Sequence, residues 1–336
     1  MKLLLCVPLF GTDNRMSSRT RTARLAAAIA LASLLGACNK GAPGLADAQG
    51  VDKVNAYIAC FNAVEEPIHE GFQQYTGWMQ DPEAGPTGNE KNVRGPGTVL
   101  SHRVEACNAP MVAALEMTPA EPALDPAARA YQKTFVDLYA LIEQADRYYS
   151  REDYLRDDHA GMRSQHAPLM QAYAAFFAAS TALDAALDRR EDEGRQAQLK
   201  EIEAAEGRSL AYYQIRIIGD AKQLTQLLSE DAPDLAVART QLSAFQALLQ
   251  QAQQDEIGKD DPMWGHVERA ADALARDAGR RIERVQANTP LTRSEQMLMQ
   301  SGGRISNPQG SAEAVMASYN DLVDMSNRFA RTGGAR

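Results

Sequence analysis

The chain has 336 residues, of which 45% are hydrophobic and 24% are charged, and its formal net charge is −9. This balance excludes a mostly disordered chain and a polytopic membrane protein. An acidic chain also lacks the basic surface that nucleic-acid phosphates require, so we expect no nucleic acid among its partners.

Residues 1–37 have the features of an export signal rather than of a folded domain. Four arginines between residues 15 and 24 precede an apolar run of 11 residues, Leu25–Leu35. That run is too short to span a bilayer, but it has the length of a signal-peptide core. The run ends in the motif LGAC, residues 35–38, which resembles the lipobox of bacterial lipoproteins. We therefore expect cleavage before Cys38, acylation of its thiol, and a tether up to residue 50.

The residues around the lipobox also predict a location. In the common Gram-negative sorting rule, aspartate after the cysteine retains a lipoprotein in the inner membrane, so Asn39 favours the outer membrane, facing the periplasm. Met16 begins a signal of more usual length than Met1 does, and both translation starts are compatible with the sequence. Removing residues 1–37 takes away five basic residues and one acidic residue, which changes the formal net charge from −9 to −13. Acyl chains rather than the acidic protein surface should hold the chain to the membrane.

Two cysteines, Cys60 and Cys107, follow the lipobox. An even pair in an exported chain predicts a disulfide, here across a sequence separation of 47 residues. The alternative is a pair of buried free thiols.

After the tether, the sequence predicts helices throughout. Apolar residues recur at alternating spacings of three and four, as they do in Tyr131, Phe135, Leu138, Ile142, Ala145 and Tyr149. This spacing places one apolar stripe on each helix. Breaks at the Pro/Gly-rich loop 81–98 and near Pro168, Pro233, Pro262 and Pro290 argue against one long coiled coil. We predict an all-α fold, an antiparallel bundle of about six to eight helices in a single domain over residues 51–331, with a frayed tail at 332–336.

The sequence contains none of the common catalytic or cofactor motifs, so we expect neither an enzyme nor a bound cofactor. The densest polar segment is 148–159, with His166 after it. Asp157, Asp158, His159 and His166 could in principle bind a divalent metal. The favoured alternative is a helix end, in which the acidic residues cap the next helix and the tyrosines close the bundle.

Several short motifs resemble the YiiG-like family of bacterial lipoproteins, whose domain has no assigned function. They are the lipobox, Val54-Asn55-Ala56-Tyr57-Ile58, the tyrosine, acidic and histidine pattern from Tyr148 to His166, and Tyr319-Asn320-Asp321-Leu322-Val323 with Asn327. The resemblance implies an all-α domain on a lipid anchor and brings no catalytic residues with it. It directs attention to one set of ligand-binding candidates: Tyr148, Tyr149, Tyr154, Asp157, Asp158 and His166.

Three functions follow from these features. The first is a non-catalytic lipoprotein that presents a helical surface to an envelope protein. The second is a small-ligand or metal-binding lipoprotein that uses the Tyr149, Asp157, Asp158 and His166 region. The third is a hydrolase with paired carboxylates, for which the sequence offers acidic residues but no cleft.

Overall fold

The computed structural model describes residues 45–300 and 307–331, and within these ranges all regular secondary structure is helical. The elements are α1 (Leu45–Thr76), α2 (Ser101–Leu115), α3 (Asp125–Ser150), a 3-10 helix (Asp153–Leu155), α4 (Ala160–Glu206), α5 (Leu210–Leu228), α6 (Leu235–Gln254), α7 (Trp264–Gln286), α8 (Arg293–Gln300) and α9 (Ala312–Arg331). The prediction of an all-α fold is therefore confirmed for this part of the chain.

The predicted signal segment, Cys38 and the predicted tail at 332–336 lie outside the described residues. Among the residues that are described, no helix combines the length and the apolar character needed to cross a membrane. The first helix begins at Leu45, inside the segment predicted as tether. Residues 45–49 read LADAQ, which are mostly good helix formers.

The described residues form two compact units, with the boundary between Glu193 and Gly194 inside α4. Each unit has its own hydrophobic core. The sequence predicted a single domain over residues 51–331. An apolar stripe shows which side of a helix is buried but not which core that side joins, so the pattern could not reveal the division into two units.

The first unit is an antiparallel four-helix bundle of α1, α2, α3 and the first part of α4. Helices α1 and α3 run in one direction, while α2 and α4 run in the other. The contacts that fix these directions are Lys53–Met117 and Ala63–Arg103 for α1 and α2, Tyr57–Asp125 and Tyr75–Tyr149 for α1 and α3, and Tyr131–Phe176 and Tyr148–Met162 for α3 and α4.

The predicted apolar stripes form the core of this unit. All six stripe residues of α3, from Tyr131 to Tyr149, are buried. The residues of α4 with the same spacing are buried as well: Leu169, Tyr173, Phe176, Ser180, Leu183 and Leu187. The predicted break at Pro168 is wrong, because Pro168 lies inside α4. Its ring is exposed to solvent, and burial of the neighbouring Leu169 and Met162 continues the helix past it.

The second unit has the same up-and-down arrangement, built from α5, α6, α7 and α9 with the last turns of α4. Helices α5 and α7 run opposite to α6 and α9. Contacts that show this are Tyr213–Asp255, Leu228–Arg281, Ser318–Asp277, Trp264–Phe329 and Gln214–Ser326. The predicted breaks at Pro233, Pro262 and Pro290 do separate helices.

One arginine organises the connection between α7 and α9. Arg284 binds both carboxylate oxygens of Glu295 and donates to the carbonyls of Thr289, Pro290 and Gln309. The Arg284 guanidinium and hydrogen bonds from Thr292 lower the pKa of Glu295 to about 2. The connection therefore depends on an ion pair rather than on apolar burial.

Candidate functional site

The predicted ligand-binding region lies at the end of the first unit where α1 and α3 end and α4 begins. Four of the six predicted residues, Tyr148, Tyr149, Tyr154 and His166, pack together there with Tyr75, and the neighbouring ring centroids of these five lie 5.4 Å to 6.5 Å apart. Tyr173, which interacts electrostatically with Tyr75, packs its ring against Phe72 and Phe177. We call the five tyrosines and His166 the tyrosine–histidine cluster.

His166 is the most constrained member of the cluster. Its Nε2 lies 3.0 Å from the carbonyl oxygen of Pro82, and its Nδ1 lies 3.0 Å from the hydroxyl of Tyr75. Because a carbonyl can only accept, Nε2 carries the proton, and Nδ1 accepts from the Tyr75 hydroxyl. Both ring nitrogens are therefore used inside the protein. The ring is 5% exposed, and this burial lowers the pKa of His166, against a smaller opposing effect of the Pro82 hydrogen bond.

We expect His166 to make the stability of the first unit depend on pH. Since the pKa is lower in the folded than in the unfolded state, protonation favours unfolding. The stability is therefore complete above the unfolded value of about 6.5 and decreases as the pH falls below it toward the folded pKa. Thermal unfolding followed between about pH 8 and about pH 5 should show this decrease, and H166Q should flatten it. The exposed His102 provides the control, because H102Q should leave the profile unchanged. Equal profiles for H166Q and the unmodified chain would contradict the assignment.

Two hydroxyls of the cluster lack the hydrogen bonds that buried polar groups normally make. The buried Tyr173 hydroxyl has no hydrogen-bond partner, and the buried Tyr149 hydroxyl has none with good geometry, although it lies next to the Tyr75 hydroxyl. Burial raises the pKa of both phenols, and the adjacent Tyr75 hydroxyl adds to the effect. Burial also raises the pKa of Tyr75 to about 12, so this phenol is uncharged at neutral pH.

The Pro/Gly-rich segment 81–98, which we call the covering loop, lies over the cluster. Gly85 has a φ of +85°, and a Cβ atom there would lie 2.5 Å from Cδ2 of His166. A Cβ on Gly95 would lie 2.8 Å from the Cβ of Tyr149. These two glycines are therefore needed for the close approach of the loop backbone to the cluster. The glycine content that marks the loop in the sequence is thus a packing requirement.

The acidic residues of the predicted site have a different role. One carboxylate oxygen of Asp157 accepts a hydrogen bond from the backbone N–H of Gly161 at 2.9 Å, and the Tyr148 hydroxyl donates to the same carboxylate at 3.0 Å. Asp157 thus caps the first turn of α4, in agreement with the helix-end interpretation. The Asp158 side chain is exposed, and its carbonyl accepts from Arg163.

The four weak metal candidates do not come together as a metal site. The His159 ring lies against Tyr154, and His166 is turned inward with both nitrogens engaged. Within residues 45–300 and 307–331, no three His, Cys, Asp or Glu side chains are grouped so that they could hold an ion.

Sequence reasoning missed an ion pair between the buried Lys53 and the half-buried Asp125, at the opposite end of the first unit. The ammonium group of Lys53 is 2.7 Å from Oδ2 of Asp125 and donates to the carbonyls of Met117 and Pro119. The Tyr57 hydroxyl donates to the other Asp125 oxygen at 2.8 Å. Burial alone would raise the pKa of Asp125, but these hydrogen bonds outweigh it and the pKa is lowered. The sequence did contain one indication that Lys53 is buried, because Lys53 lies four residues before Tyr57 on the buried stripe of α1.

The predicted cysteine pair lies in the core of the first unit. Cys60 of α1 and Cys107 of α2 are both fully buried and are joined as a disulfide in the structure. The bond links the two antiparallel helices near their midpoints.

Comparison with known proteins confirms the resemblance noted in the sequence. Residues 48–328 match the family described as "Protein of unknown function (DUF3829)". The chain is also similar to the uncharacterized protein YiiG of Escherichia coli (strain K12), with 27% identity over 273 residues, which cover 81% of this chain and 77% of the relative. No solved structure matches the chain significantly.

Proposed function

Because the chain belongs to the DUF3829 family, whose description assigns no activity, we propose that it is a lipid-anchored helical module of the cell envelope that binds another envelope component without catalysing a reaction. In this proposal Cys38 carries the acyl chains, and the protein faces the periplasm from the outer membrane.

The observation that carries the proposal is the order of a positively charged segment, an apolar run and a lipobox in the sequence before helix α1. Helix α1 starts seven residues after Cys38. A chain of seven residues spans at most about 25 Å, so the anchor would keep the start of α1 close to the lipid.

The surface of α2 supports a binding role. Its last turns are apolar on the exposed side as well as on the buried side, whereas a helix at a protein surface normally has polar residues there. The exposed residues of this face are Ala106, Ala109, Pro110, Val112 and Ala113. Catalysis has less support, because His166 and Asp157 are engaged in internal hydrogen bonds.

The second candidate function is binding of a small ligand at the tyrosine–histidine cluster. It is favoured by the buried Tyr173 hydroxyl, which has no hydrogen-bond partner. The exposed carboxylates of Asp157 and Asp158 are not part of this candidate site. The site therefore predicts an uncharged ligand rather than a metal ion.

Membrane fractionation of the full chain expressed in Escherichia coli tests the lipid anchor. We expect the unmodified chain to incorporate labelled palmitate and to fractionate with the outer membrane, while C38A does neither. The matched variant N39D should retain the label but move to the inner membrane. If C38A were labelled and fractionated like the unmodified chain, the anchor would be disproved.

A further inference from the structure

Helices α6 and α7 of the second unit leave a polar groove between them. The buried Leu249 and Ala275 form its floor, and its volume is about 220 Å³. Gln253 of α6 also lines a second hollow of about 590 Å³ beside the α6–α7 connection, together with Arg269 of α7. The two hollows therefore adjoin, and together they form what we call the α6–α7 groove. The polar side chains along it are Gln246, Gln250 and Gln253 of α6 and Arg269, Asp272 and Arg276 of α7.

The two arginines of the α6–α7 groove are free to bind a partner. Arg269 and Arg276 are exposed, and within the part of the chain that the structure describes neither makes a hydrogen bond or an ion pair. The other three arginines of α7 all bind inside the protein: Arg280 to Asp277, Arg281 to the carbonyls of Leu228 and Glu230, and Arg284 to Glu295. The two guanidinium groups that α7 leaves free thus both lie in the groove.

The spacing of these arginines suits an extended ligand. Arg269 and Arg276 are seven residues apart. This separation is about two helical turns, so they lie on the same side of α7 with their Cα atoms about 10 Å apart. An extended peptide presents every second side chain on one face, at intervals of about 7 Å, and the long arginine side chains can reach two of these positions. The three glutamines of α6 line the opposite side of the groove.

The kinds of polar group in the groove favour a peptide that carries carboxylates. A planar guanidinium pairs with a carboxylate through two parallel hydrogen bonds. A glutamine amide offers one acceptor and two donor hydrogens, which complement the N–H and C=O groups of a peptide backbone. Asp272 follows Arg269 and precedes Arg276 along α7, and its carboxylate can accept from a peptide N–H but would repel the phosphate of a lipid headgroup. The groove therefore suits an acidic peptide better than it suits a membrane surface.

We propose that the α6–α7 groove binds an extended, acidic peptide segment of a partner protein. Arg269 and Arg276 pair with two carboxylates of the segment, while the glutamine amides and Asp272 bind its backbone. The proposal deepens the proposed function by naming the chemistry of the partner, and it rests on that function only for the place where the partner is met. Binding in the groove itself does not depend on the lipid anchor.

Fluorescence anisotropy of a labelled decapeptide of alternating glutamate and threonine, titrated with the full chain, tests this groove. At about 0.15 M salt, where exposed charges more than about 8 Å apart are largely screened, we expect saturable binding. R269Q and R276Q should each weaken it by about fivefold to tenfold, because each removes one charged pair. The same peptide with glutamine in place of glutamate should bind more weakly. The control R129Q removes an equal charge from the exposed face of α3 and should bind as the unmodified chain does.

Thermal stability separates a docking groove from a structural role. Since Arg269 and Arg276 have no partner among the described residues, R269Q and R276Q should melt at the temperature of the unmodified chain. The proposal is overturned if the peptide does not bind, if both groove variants bind it normally, or if R129Q weakens binding as much as they do. Arginine-dependent binding of phosphatidylglycerol vesicles, without binding of the peptide, would overturn it in favour of a lipid surface. Failure of the lipid anchor would leave the result unchanged, because C38A should bind the peptide with the same affinity.

Discussion

Replacing Lys53 by methionine is expected to lower the free energy of unfolding of the first unit by about 2–3 kcal/mol, because Lys53 is buried while the partner that keeps its charge, Asp125, is 17% exposed. The Lys53 side chain is 1% exposed, and all three ammonium hydrogens have acceptors: Asp125, Met117 and Pro119. Methionine has a similar volume, so packing should change little. The expected loss of stability comes from the Asp125 carboxylate, which keeps its charge but loses its main partner.

Hydrogen exchange of α1 and α3 amides in increasing urea measures this loss in the first unit alone. The control is K133M, which removes an exposed ion pair with Asp137, and we expect it to cost no more than about 0.5 kcal/mol. If K53M and K133M had equal effects, Lys53 would not have the structural role that its position indicates.

Removal of the Cys60–Cys107 disulfide should have an effect of similar size. In the chain-entropy description, a bond across 47 residues stabilises the folded state by about 3–4 kcal/mol, because it restricts the unfolded chain. The double variant C60A/C107A should therefore unfold at lower urea concentration than the oxidised chain does.

Reduction provides the matched control for the disulfide. A thiol reductant should lower the stability of the unmodified chain and leave C60A/C107A unchanged. Thiol titration of the denatured, unreduced protein should find no free thiol at these two positions. Two reactive thiols there, or a reductant effect on the double variant, would contradict the predicted bond.

The sequence predicted the helices well because their burial is periodic. The stripe from Tyr131 to Tyr149 identified the buried side of α3 residue by residue. Pro168 misled the prediction, since its ring faces solvent within α4 and packing on both sides maintains the helix. The division at Gly194 left no signal, because α4 continues across it without a turn or a proline.

The site was predictable only where its members are close in the sequence. Tyr148, Tyr149 and Tyr154 come together through one turn, and local spacing indicated that. Tyr75 and Tyr173 join them from α1 and α4 through tertiary packing, which no local pattern shows. Lys53 was missed for a similar reason, because its partner Asp125 is 72 residues away.

The intact mass of the protein purified from Escherichia coli membranes tests the central claim, a lipid-anchored helical module, most directly. We predict the mass of residues 38–336 plus a diacylglyceryl group and an amide-linked acyl chain, less two hydrogens for the Cys60–Cys107 bond. A mass that still includes residues 1–37, or that lacks any lipid, would contradict the account.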